Sequence, residues 1–94
     1  MTERCVKIFD WSPRLDVQFR EDKRYYEELG QLVGTSFQSS LCMTLTGDRE
    51  IRYLLTSGMP ENLRGLRAKY VILDEMVDQK KYAEELDLVR LIKE

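Results

Sequence analysis

Two adjacent carboxylates, Asp74 and Glu75, close a continuous apolar run, Tyr70-Val71-Ile72-Leu73. A carboxylate at the end of a buried strand can hold magnesium directly or through water, and its neighbour can orient and deprotonate an attacking water. Asp74 and Glu75 have the types and the order for those two tasks. A plainer reading stands beside this one, because strands often end in acidic residues that cap the helix that follows. Ahead of the run, Arg64 and Arg67, with Lys69 nearby, form a local basic patch beside the acidic pair. Such a patch can meet phosphate, and nucleic acid through it, or can be an ordinary solvated loop.

Residues 60–75 read P-E-N-L-R-G-L-R-A-K-Y-V-I-L-D-E. Asn62-Leu63-Arg64-Gly65, followed by an apolar strand that ends in Asp74-Glu75, resembles the Walker B region of the ATPase domain of viral large terminase subunits. The order upstream is similar as well, with a strand and helix, a hairpin, then the R-G loop, and the looser agreement spans residues 6–89. The resemblance implies that Asp74 coordinates magnesium, that Glu75 is the catalytic carboxylate, and that the Arg64-Gly65 loop lies near the nucleotide or DNA face. The sequence departs from the family at the phosphate site. It contains no G-x-x-x-x-G-K-[ST], since none of the five glycines, at 30, 34, 47, 58 and 65, leads into a Lys-Ser/Thr pair. Met76 also replaces the small residue that commonly follows the acidic pair. Without the backbone amides and lysine of a P-loop, the β and γ phosphates have no cradle.

The implied expectation is a terminase-like, ATPase-derived protein of viral or mobile-element origin that does not hydrolyse ATP as an isolated chain. It would act as a binding or assembly module, with Mg2+ and ATP entering only if a partner supplies the P-loop. The alternative is a small α/β protein-interaction or homodimerisation module with no nucleotide role.

The elements that would position these residues follow from periodicity. Residues 5–9 alternate around Val6 and Ile8 as a strand, and Asp10-Trp11-Ser12-Pro13 signals a turn or helix start, with Ser12 as cap and Pro13 in the first turn. Leu15, Phe19, Tyr26 and Leu29 keep a helical spacing that Asp22 interrupts, and Gly30 is placed to end the helix. Residues 34–40 read as a polar, Ser-rich connector. Leu41, Met43 and Leu45 then alternate with polar neighbours before Gly47-Asp48, and a second strand spans 51–55. Setting Leu45 against Ile51, Met43 against Tyr53 and Leu41 against Leu55 gives a hairpin with a connection of about three residues. Residues 57–68 read as a loop or partly helical segment, and Tyr70–Leu73 has the unbroken apolar pattern of a central strand covered on both faces. Tyr82, Leu86, Val89 and Ile92 recur at helical spacing, and their stripe is a candidate dimer or partner surface. The expected fold is therefore α/β, one small domain over residues 1–94 in β-α-β-hairpin-β-α order, with a sheet of about four strands and two helices.

Composition sets the remaining bounds. With 15 basic and 17 acidic residues the net charge is -2, so nothing global drives the chain to nucleic acid or an anionic membrane. No apolar stretch approaches the length of a membrane span, and the expected location is cytoplasmic. Cys5 and Cys42, with no histidine in the chain, make a poor zinc set and read as thiols in a reducing compartment. Trp11, Tyr25 and Tyr26 suit core or edge packing better than base stacking, and Lys23-Arg24 reads as helical charge pairing.

Overall fold

The computed structural model describes residues 2–37, 40–56, 68–78 and 80–82. Five strands and one helix stand in the order β1 (Glu3–Phe9), α1 (Ser12–Glu28), β2 (Leu32–Phe37), β3 (Leu41–Leu45), β4 (Arg49–Leu55) and β5 (Tyr70–Leu73). The strands form one mixed sheet in the spatial order β2-β3-β4-β1-β5. β1 runs parallel to both β4 and β5, while β2, β3 and β4 form an antiparallel meander. The α/β class and small size agree with the sequence. The sheet has five strands instead of about four, and one helix lies among the described residues. Residues 83–94, which carry most of the second expected helix, lie outside them.

Side-chain alternation along β1 divides the core between two faces. On the α1 face, Phe9, Met43, Leu45, Ile51 and Tyr53 pack with Leu15, backed by Phe19 and Tyr26. Tyr53 is almost fully buried and is boxed in by two rings, Phe9 stacked at 6.3 Å and Phe19 edge-on at 5.1 Å. On the other face, Val6 and Ile8 pack with Ala68, Val77 and Tyr82. β1 is thus covered on both sides, the position expected of β5. β5 itself is an edge strand whose Val71 and Leu73 turn inward and whose Tyr70 and Ile72 remain 45% and 49% exposed. An unbroken apolar run of four residues does not distinguish a central strand from an edge strand with one apolar face left open.

α1 begins one residue earlier than a Ser12 cap requires. Trp11 occupies the N-cap in an extended conformation and no side chain caps the helix. The C-terminus follows the sequence closely. Gly30 has φ +69°, its N–H donates to Glu27 O and Gln31 N–H donates to Tyr26 O, the paired bonds of a Schellman ending. No described helix is long and apolar enough to cross a membrane.

β2 corrects the connector expected at 34–40. It is an edge strand, with Val33, Thr35, Ser36 and Phe37 exposed, so no buried row marks it in the sequence. The β3–β4 hairpin has its three-residue connection at Thr46-Gly47-Asp48, and Leu45 faces Arg49, Met43 faces Ile51 and Leu41 faces Tyr53. This register is displaced by two residues from the expected one. A two-residue slip keeps every side chain on its own face, so alternation alone does not detect it. Turn chemistry selects the register, because the two left-handed positions, φ 75° and φ 55°, fall on Gly47 and Asp48.

Candidate functional site

The three parallel strands end on one edge of the sheet, β1 at Phe9, β4 at Leu55 and β5 at Leu73. The next residues in the chain are Asp10, Thr56 and Asp74. Ligands of open α/β sheets bind at this carboxyl end. Asp74 lies on the α1 face and Asp10 on the opposite one.

Asp74 is fixed from both sides. Its N–H donates to Ile8 O at 2.9 Å, extending the β1–β5 ladder. Its carboxylate is only 6% exposed and is gripped by Arg14, with Nη2 to Oδ1 at 2.6 Å and Nε to Oδ2 at 3.2 Å. The same Nη2 lies 3.1 Å from Glu75 Oε1, and the Glu75 side chain is otherwise 79% exposed. Arg14 reaches both acids because α1 starts directly after β1 and its first turn overhangs the end of β5. A cation in the first turn opposes the helix dipole, and the two carboxylates compensate for it. The Arg14 hydrogen bond holds the Asp74 carboxyl below its usual range, against the upward push of burial. In return the Asp74 hydrogen bond raises the guanidinium.

The acidic pair does not cap a helix. Residues 74–77 form a turn closed by Val77 N–H to Asp74 O at 3.0 Å, and Met76 N–H points to Asp74 Oδ2 at 3.4 Å. Arg14, Asp74 and Glu75 line an open cleft of about 410 Å³ between α1 and β5, with Lys7, Gln18 and Ile72 along its walls.

No family model, curated protein or solved structure matches this chain. The geometry therefore carries the functional reading.

Magnesium bound with nucleotide is usually held by one or two carboxylates, with waters and phosphate oxygens completing its shell. Asp74 and Glu75 supply two carboxylates of that kind, with Arg14 bound to both. They do not make a site from protein ligands alone, and no group of three His, Cys, Asp or Glu suited to a metal occurs among the described residues.

Arg64, Gly65 and Arg67 lie outside the described residues. Lys69 is not beside the acidic pair. It precedes β5, its N–H donates to Arg4 O, and its ammonium lies 3.6 Å from Glu3 and 5.5 Å from the centre of the Tyr70 ring. Five residue-to-residue steps at ~3.3 Å each separate it from Asp74 by about 16 Å. Among the aromatic candidates, Trp11 and Tyr25 are exposed and Tyr26 packs on the core. Lys23 pairs with Glu27 one turn on. Cys5 and Cys42 form no disulfide and lie on strands separated by β4. The Cys42 thiol is pushed up by burial and by the adjacent Glu50, to which it donates at 3.5 Å.

Two polar clusters escaped the sequence reading. In the first, Asp22 faces the sheet and accepts Lys7 Nζ and Tyr53 Oη, each at 2.6 Å on Oδ2, and Gln18 Nε2 at 2.8 Å on Oδ1. Burial, then the Asp22 bond, pushes the Tyr53 hydroxyl far up, so it is a permanent donor. The signal was present: positions 15, 19, 22 and 26 form one helical stripe, and an acid within it needs an interior partner. In the second, Asp10 accepts the Thr56 hydroxyl, and the Tyr82 hydroxyl lies 2.9 Å from Asp10 Oδ1. Thr56 and Tyr82 are fully buried, so this cluster ties Tyr82 to the carboxyl edge of the sheet.

Proposed function

We propose that this chain is a terminase-like, ATPase-derived binding or assembly module that carries the acidic half of a nucleotide site. The observation that supports this reading is the position of Asp74 and Glu75. They directly follow a strand parallel to β1, at the carboxyl edge of the sheet, and open on a cleft. In this reading Asp74 and Glu75 hold magnesium, and the bound ion supplies charge neutralisation for phosphate and activation of water. The chain's own residues do the positioning. The Ile8 carbonyl fixes the Asp74 backbone, and Arg14 keeps the nearly buried carboxylate ionised and occupied until phosphate and metal arrive together.

The phosphate cradle comes from a partner chain, so the protein alone does not turn over ATP. Arg64 and Gly65 would lie near the nucleotide or DNA face and Arg67 would add to a DNA contact, while Lys69 could join one only from the end of β5 away from Asp74. The test is magnesium-dependent ATP turnover by the purified chain. No turnover above buffer is expected, and activity that disappears in Glu75→Gln would overturn the inactive reading. The second reading, an interaction module without nucleotide, is favoured by one observation: Arg14 already satisfies Asp74 as a structural ion pair.

A further inference from the structure

We infer that β5 is a self-association edge, to which a second copy of this chain adds its own β5 antiparallel about a two-fold axis at Ile72. Among the described residues β5 has a strand, β1, on one side only. Its Tyr70 and Ile72 side chains are exposed on the α1 face, which makes it a template for strand addition. Its ends carry opposite charge: Lys69 before the strand, near Glu3 but still mostly exposed, and Glu75 after it, touched by Arg14 yet 79% exposed, beside the Arg14-held Asp74.

A two-fold axis perpendicular to the sheet keeps like faces together, so each residue must meet one of the same side-chain parity. Centred on Ile72, this pairing sets Ile72 against itself, Val71 against Leu73, Tyr70 against Asp74 and Lys69 against Glu75. Val71, Ile72 and Leu73 then meet apolar residues, Tyr70 lies across from Asp74, and both end pairs are oppositely charged. Centring on Val71 would set Lys69 against Leu73 and Ala68 against Asp74. Parallel addition in register would stack Lys69 on Lys69. Charge complementarity therefore favours a second copy in one register.

The other edge, β2, has exposed Val33 and Phe37 but lacks these features. Uncharged Gln31 and Gln38 flank it, and a register irregularity between Leu32 and Gly34 interrupts its ladder. Such irregularities protect edges. β5 has only four residues, so its edge alone buries less than the roughly 1,200–2,000 Å² of a stable interface, and the dimer is weak and concentration-dependent. The inference stands apart from the nucleotide reading, and either can fail without the other.

The test is sedimentation velocity of the intact chain under reducing conditions, from about 1 to about 500 µM, a range that brackets such a weak interface. The expected result is a reversible rise from monomer toward dimer mass. Lys69→Glu and Glu75→Lys each turn both symmetric end pairs repulsive and weaken association about ten-fold, and the double variant returns to within about three-fold of wild type. Ile72→Lys leaves a monomer. These side chains are exposed, and circular dichroism checks each variant's fold. If a variant does not fold, amide exchange at Val71 and Leu73 of the wild-type chain replaces it, with slowing at high concentration expected and unchanged rates contradicting the dimer. A monomer throughout the range, whatever other protein the edge then binds, overturns the inference. A dimer indifferent to both charge reversals overturns it equally.

Discussion

Replacing Asp22 with alanine tests how far the interior of this domain depends on one acid. Asp22 accepts hydrogen bonds from Lys7, Tyr53 and Gln18, and both Lys7 and Tyr53 are largely removed from water. Without the carboxylate, the buried Tyr53 hydroxyl is an unsatisfied donor, at a cost of about 1–3 kcal/mol. Lys7 loses its counter-ion at 17% exposure, which adds about 1–3 kcal/mol, less than the full penalty of a sealed charge. Gln18 is near enough to water to rehydrate. The expected loss is about 2–6 kcal/mol, centred on roughly 4 kcal/mol, against a total stability of about 5–14 kcal/mol for a domain of this size. Urea unfolding followed by circular dichroism reads the loss as a midpoint lowered by about 2–3 M. Combining Asp22→Ala with Lys7→Met and Tyr53→Phe removes the orphaned groups as well, and most of the stability returns. A single-variant loss below about 1 kcal/mol, or a triple variant worse than the single one, would refute the reasoning.

The other predictions are narrower. Asp74 titrates below the ordinary carboxyl range when folded, so its contribution to stability is complete above about pH 4 and disappears as pH falls through its folded value. Arg14→Gln removes the main cause of that shift and makes the acid-unfolding profile shallower between about pH 5 and pH 2. Gly30→Ala and Gly47→Ala each cost about 1 kcal/mol by thermal melting, because the strain comes from positive φ and neither added methyl meets a close neighbour. Cys42 is alkylated near pH 8 more slowly than a free cysteine peptide, since burial and Glu50 favour its thiol form. Alkylation at the peptide rate would place the thiol in water.

Patterns that depend on burial were legible in the sequence. The Gly30 helix ending, the β1 alternation, the apolar faces of β3 and β4, and the location of Asp74-Glu75 at a strand end are all present in the structure. What was hidden had no burial signature. β2 exposes most of its side chains, and the hairpin slipped by two residues, a change to which a period of two is blind. β5 appeared central because its exposed residues, Tyr70 and Ile72, happen to be apolar. Arg14 was unreadable as a site residue because it is 60 residues from Asp74 in the chain and joins it only through the β1–β5 pairing. Asp22 and Lys7 were legible in principle, as an acid and a base that both interrupt inward-facing rows.

The proposed acidic half-site is tested most directly by manganese titration of the isotopically labelled chain, with manganese standing in for magnesium and amide line broadening as the readout. Broadening centred on residues 74–76 is expected, saturating in the millimolar range for a site of two carboxylates and at several-fold lower metal in Arg14→Gln. Broadening no stronger at Asp74-Glu75 than at the surface pair Glu27-Glu28, with or without Arg14, would contradict the account.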